Sequence, residues 1–463
     1  MINRQHIHAL ISIAWLATSL FLLWLIPMSE FGYSVLMCLN FIWVLYVIWK
    51  AEKLSPFFLF MATFTFLFIG GRFWAELVMP DAFMLRRGNF FNEHYIKDAL
   101  WKQSLTYILL FMYLSTSGYL LYPRKHKGQP YLTIERTTPM TIDLVLLLVF
   151  CILAPHTLYD IFNRLSTASS GEGYLSLYQA QTEKVSAGSG LVASMLYVFL
   201  GIALVYGKRS TKILYLILTF IKAFVFILIG QRAKFGSMLL FLLWYFLRNK
   251  KVNIVKIGIF AGIAIVALTV LASLSIRQMG LGDKFSPLTS MCEFFYQQGV
   301  SLTTFTSSQE IQSYPILPYF VSFIPGIASL VSLVMPLSGE EASFSYYLAC
   351  SLSPELFTSG HGLGWTLLSD LYLYSGRTYT GFIILSVLFG AGCSLIEDKS
   401  RTSALASVIV AGVLMNFTFL PRAGLYTIIP LIVWILAVYF ILMFLLKDFR
   451  EVTLQQKAKT TTP

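Results

Sequence analysis

Residues 423–446 read AGLYTIIPLIVWILAVYFILMFLL, a run without one charged side chain. At 1.5 Å per residue, a helix of that length exceeds the roughly 30 Å hydrocarbon core of a bilayer. Strands of a membrane barrel would be about half as long and would alternate, so the run is read as a helix. The whole chain shares its character. It has 463 residues, of which 57% are hydrophobic, 16% aromatic and only 12% charged, against about 25% charged for ordinary soluble proteins. Mean hydropathy is +0.71. With so little polar surface, lipid must be the solvent, and hydrocarbon requires backbone N–H and C=O groups to be satisfied internally. The fold class is an all-α polytopic membrane protein.

Working outward from that run, apolar segments predict about twelve transmembrane helices, near 9–27, 31–49, 54–71, 103–122, 142–158, 190–206, 213–229, 235–247, 255–275, 379–396, 402–420 and 423–446. The expected organisation is a single integral-membrane domain over 1–463, a large outer loop at 276–378 and an inner tail at 447–463. With the N-terminus inside, the inner segments carry 20 basic and 7 acidic residues, and the outer segments 13 and 15, with Lys222 left inside a span. The net charge of +12 is thus a positive-inside signal and not a polyanion-binding face. No nucleic-acid partner is expected.

Residues 315–336, PILPYFVSFIPGIASLVSLVMP, test this count. They are long and apolar enough to span, but a span here would put Lys399, Arg401, Lys447 and Arg450 outside. Pro315, Pro318, Pro325 and Pro336 also interrupt helical hydrogen bonding. The segment is therefore expected to be re-entrant or interfacial. Loops as long as 276–378 are usually functional or disordered, and the aromatic content of this one argues for function.

Several chemistries are absent. There is no D-x-D, H-E-x-x-H, Walker loop or G-x-S-x-G, hence no sign of a metal-held diphosphate, a metalloprotease, an ATPase or a serine hydrolase. The five cysteines make no zinc spacing, and no metal or cofactor is expected. Cys292 and Cys350 share the outer loop, where a disulfide is one reading. No internal repeat is evident, and none of the short apolar stretch and small-residue cleavage site of a leader precedes the first span.

Arg232, Arg277 and Arg422 stand at outer ends of spans, against the general bias. Each could snorkel to lipid headgroups, but together they suit an outer-leaflet phosphate site, with Lys234 beside Arg232, because guanidinium offers paired, permanent donors. Lys222 either snorkels or faces a partner. In the outer loop, Glu293, Gln297 and Ser301 recur at helical spacing, with Gln298 alongside. Asp370, Tyr374 and Arg377 make a second polar stripe. Carboxylates beside aromatic rings suit sugars, and such a carboxylate could also take a proton from an attacking hydroxyl. The competing reading for Asp370 is a structural pair with Arg377. His361, between two glycines, is either a base or phosphate ligand or a solvated loop histidine.

From about Ile229 to Arg422 the chain resembles the Wzy-type O-antigen polymerases. The resemblance rests on Gly230-Gln-Arg232, the Arg277 segment, Glu293-Phe-Phe-Tyr-Gln-Gln-Gly-Val-Ser301, Phe323-Ile-Pro-Gly326, Gly360-His-Gly-Leu-Gly-Trp365 leading to Asp370-Leu-Tyr372, and Arg422. It implies a GT-C-like glycosyltransferase of the bacterial inner membrane, with both termini cytoplasmic and the large loop periplasmic. Substrates would be undecaprenyl-pyrophosphate-linked oligosaccharides, with membrane lipid and a chain-length regulator as partners. Arg277, Asp370, Glu293 and His361 would be catalytic. Arg232, Lys234, Arg422, Gln297, Gln298, Ser301 and Tyr374 would bind substrate. An O-antigen ligase and a lipid-linked oligosaccharide flippase are the alternatives, though a flippase needs no such loop.

Overall fold

A computed structural model describes residues 4–132, 139–169, 189–250 and 287–453, with residues 177, 252–253, 255, 257–260 and 262–263 between them. Two thirds of the expected ninth span, 255–275, falls outside these residues, and so does Arg277. The described chain begins with α1 (Arg4–Leu25), α2 (Glu30–Ala51), α3 (Pro56–Thr63) and α4 (Gly71–Val78), then a hairpin of β1 (Arg87–Asn89) and β2 (Asn92–Tyr95). Long helices follow: α5 (Asp98–Leu121), α6 (Met140–Ser169), α7 (Ser189–Tyr206), α8 (Arg209–Ile229) and α9 (Arg232–Leu247).

Short helices then fill the loop: α10 (Pro287–Gln298), α11 (Val300–Glu310), α12 (Leu317–Val321), α13 (Ile327–Val334), α14 (Gly339–Ala342), α15 (Phe344–Leu352), α16 (Pro354–Thr358) and α17 (Leu367–Tyr374). The chain closes with α18 (Tyr379–Lys399), α19 (Ala404–Phe419) and α20 (Ile429–Leu445).

Eight helices among the described residues are long and apolar enough to cross a membrane, and a ninth crossing is possible by length if the bent pair Pro56–Phe68 and Gly71–Val78 is one span. That pair departs from the straight helix expected over 54–71. A π-helical turn at Phe64–Phe68 follows α3, and the two halves meet at 52°. The fifth segment departs too: the helix runs through Pro155 to Ser169 instead of ending near residue 158. Its continuation carries an i, i+4 pair, Arg164 to Asp160 at 3.0 Å, of the kind that supports helix. The proline-rich stretch 315–336 forms α12 and α13, broken at Gly326 with φ 79°, so it contains no helix of spanning length. In α13 no residue is buried, and Leu333 and Val334 are 83% and 86% exposed. Such a surface suits the membrane interface.

Chain reversals at one end of the bundle are tied by polar contacts. Glu52 pairs with both Arg124 and Arg401, the His126 amide donates to Asp398 and the Tyr131 amide to Asn249. Within α8, buried Lys222 lies against the Tyr197 ring at 5.4 Å, the partner-facing arrangement of the two weighed for it. All five cysteines, including Cys292 and Cys350, are free.

Candidate functional site

At the end of the bundle away from the Glu52 cluster, a cavity of about 640 Å³ opens between α4, the hairpin, α6, the α8–α9 turn, α10 and the chain after α19. Six basic side chains line it: Arg72, Arg87, Arg164, Arg232, Lys234 and Arg422. Its volume falls in the range of roughly 300–1,000 Å³ that holds small-molecule ligands. Against these six stands one acidic lining residue, Glu93, and a recess with so large an excess of positive charge concentrates anions, so its chemistry is that of an anion site.

Local sequence explains each placement. The α8 helix ends in a Schellman turn: Gly230 has φ 109°, its amide donates to Ile227, and the Gln231 amide donates to Phe226 at 2.7 Å. This left-handed position suits glycine and reverses the chain in two residues. Arg232 and Lys234 therefore stand in the first turn of α9. The N-terminus of a helix already carries about half a positive charge, so cations there are unfavourable unless an anion sits nearby. Lys234 lies 4.0 Å from the centroid of the Phe226 ring, and Arg164 is 6.0 Å from the same ring. Arg422, on the short turn Leu420–Arg422, donates to Gln298 Oε1 at 3.1 Å.

Arg72 reaches the site through a close helix contact. A Cβ on Gly71 would lie 2.2 Å from the Phe295 carbonyl oxygen, and one on Gly299 would lie 2.6 Å from the Arg72 amide. Only glycines allow α4 and the α10–α11 junction to touch this closely. The contact places the Arg72 guanidinium 4.4 Å from the Tyr296 ring centroid. From there it donates to the carbonyls of Leu85, Arg87 and Gly88, fixing the hairpin that carries Arg87 and Glu93 to the cavity. Asn89 adds a second tie, donating to Ser307 at 3.2 Å.

The structure thus brings Arg232, Lys234, Gln297, Gln298 and Arg422 to one cavity. The expected stripe of Glu293, Gln297 and Ser301 is divided, because the helix ends at Gln298 and restarts at Val300. Gln297 donates to Glu293 within α10 at 2.9 Å, and neither Glu293 nor Ser301 is among the lining residues. Buried Ser301 has an unpartnered Oγ among the described residues.

The second stripe is elsewhere. Asp370 is 0% exposed. It accepts from Trp365 Nε1 at 2.6 Å and from the Leu425 amide at 2.5 Å. Burial pushes its carboxyl up to about 7 against those two bonds. Tyr374 donates to the Tyr319 carbonyl at 3.1 Å, and neither residue lines the cavity. The pairing weighed for Asp370 with Arg377 is not seen: Arg377 follows the helix at φ 63° and lies near the Tyr314 and Tyr372 rings. His361 bonds Ser359 at 2.9 Å and packs 5.8 Å from Phe90, whose backbone or side chain lines the cavity.

Sequence reasoning missed Arg72, Arg87, Arg164 and Glu93. One signal was present: Gly70-Gly71-Arg72 repeats the Gly-x-Arg pattern of Gly230-Gln231-Arg232 at the same end of the bundle. Among the described residues no group of three or more His, Cys, Asp and Glu side chains is arranged to hold a metal ion. No curated protein and no solved structure matches the chain. A family model described as O-antigen polysaccharide polymerase Wzy matches residues 8–450. A match over nearly the whole length, on a bundle of apolar helices, makes this multi-pass membrane protein a member of the Wzy O-antigen polysaccharide polymerase family.

Proposed function

We propose that this chain joins undecaprenyl-pyrophosphate-linked oligosaccharide repeat units on the periplasmic side of the inner membrane, with twelve spans in a GT-C-like arrangement. The growing glycan passes from its lipid carrier to a hydroxyl of the incoming unit. One observation carries the reading: the cavity with six basic side chains at one end of the bundle. Negative charge grows on the departing pyrophosphate in the transition state, and fixed donors aimed at growing charge are usually the largest catalytic contribution. In this reading basic side chains supply that charge without a metal, and Arg232, Lys234 and Arg422, which line the cavity, are the donors. Arg277 belongs to the same set by sequence.

Cells lacking the chain are expected to carry lipopolysaccharide cores with a single repeat unit, seen as one band in place of a ladder. Bare cores would favour a ligase or a flippase instead.

The orientation has its own test. Cysteines introduced at exposed Glu355 in the outer loop and at exposed Lys399 are expected to react with an impermeant thiol reagent from opposite sides, Glu355 from the periplasm and Lys399 only after the membrane is permeabilised. Labelling of both from one side would sink the twelve-span arrangement and the re-entrant reading of 315–336.

A further inference from the structure

The reaction needs a group to accept the proton of the attacking hydroxyl, and the cavity offers one carboxylate among its described lining residues, Glu93. Asp370 has no exposed surface and both of its oxygens accept hydrogen bonds. Glu293 accepts from Gln297 on its own helix and does not line the cavity. A general base must come within hydrogen-bond reach of the proton it takes, and Glu93 is the acid placed to do so. We propose that Glu93 is the catalytic carboxylate of this chain, a deepening that rests on the polymerase reading above.

Its setting fits that role. Glu93 stands on β2, whose pairing to β1 runs Arg87 to Tyr95 and Asn89 to Asn92. The hairpin is held to the bundle by Arg72 and by the bond from Asn89 to Ser307, so the carboxylate is presented on an anchored element. Arg87 pairs with Oε1 of Glu93 at 3.3 Å, giving the side chain a preferred direction. In the step, the acceptor's hydroxyl oxygen bonds to the anomeric carbon of the donor glycan. The bond from that carbon to the pyrophosphate oxygen breaks, its electron pair leaving with the pyrophosphate toward the cationic wall. The hydroxyl proton passes to the Glu93 carboxylate. Because the side chain is 66% exposed, the proton then returns to water before the next cycle.

The test uses the full-length protein in proteoliposomes with purified lipid-linked repeat units, comparing wild type with Glu93→Gln, Glu93→Asp and Glu93→Ala. Glu93→Gln is expected to lower turnover by about 10²-fold or more, with affinity for the lipid-linked donor and melting temperature unchanged. Added formate should restore part of the activity of Glu93→Ala, which a merely structural role would not permit. Near-normal turnover in Glu93→Gln overturns the assignment and leaves a surface ion pair. So does a loss that tracks donor affinity or melting temperature without formate rescue. Failure of the wild type itself to make polymer removes the polymerase reading, and the inference with it.

Discussion

Arg422→Gln is expected to slow polymerisation by about 10²–10³-fold, the usual cost of removing one donor aimed at developing negative charge. The residue sits where the short turn Leu420–Arg422 leaves α19, and Gln298 at the end of α10 accepts from its Nη1 at 3.1 Å. That bond orients the guanidinium plane within the cavity it shares with Arg232 and Lys234. Arg422→Lys keeps the charge and loses the planar fork, so its rate should fall between wild type and Arg422→Gln. The measurement is long-chain product from purified lipid-linked repeat units, with chelator present throughout. Near-normal polymer from Arg422→Gln would return the residue to a headgroup anchor. Chelator-sensitive wild-type activity would do more damage, since arginines would then not be the main source of positive charge.

What the sequence made legible, and what it hid, follow from the same physics. Apolar runs near twenty residues are strong signals, and α1, α2, α5, α8, α18 and the last two spans lie where those runs predict. Arg232 and Arg422 were legible because, with the N-terminus read as inside, each opposes the positive-inside bias. Arg164 was hidden because α6 continues beyond its apolar run to Ser169, and hydropathy cannot see helix that leaves the hydrocarbon. Arg72 was hidden because the third segment bends, carrying the residue into a short helix that hydropathy reads as loop. Glu93 gave no signal at all. Its position depends on a hairpin whose anchor, Arg72, comes fifteen residues before Arg87, and on a glycine contact between Gly71 and the α10–α11 junction. Asp370 is the opposite case. Its aromatic neighbours suggested a sugar site, but they close around it: Trp365 donates to it, stacks on Phe344 at 5.3 Å and meets Tyr314 at 5.7 Å.

That closure sets the expectation for Asp370→Asn. A carboxyl raised to about 7 would suit a base near neutral pH, but an Asp370 without exposed surface meets no hydroxyl. Its two oxygens instead accept from Trp365 and from the Leu425 amide, bracing the turn that carries Arg422. An asparagine keeps one acceptor and turns an NH2 toward the other donor, leaving a buried group unsatisfied at a cost of about 1–3 kcal/mol. Asp370→Asn should therefore melt at lower temperature in detergent and bind the lipid-linked donor more weakly, as well as turning over more slowly. The pH dependence has a definite sign. A carboxyl with a raised folded-state pKa binds its proton more tightly folded than unfolded, so its contribution to stability declines as pH rises from 3.8 to about 7 and is level above. The wild-type advantage in melting temperature over Asp370→Asn should accordingly narrow across that interval. A variant that melts and binds donor like wild type, yet fails to turn over, would make Asp370 the base and displace Glu93 from that role.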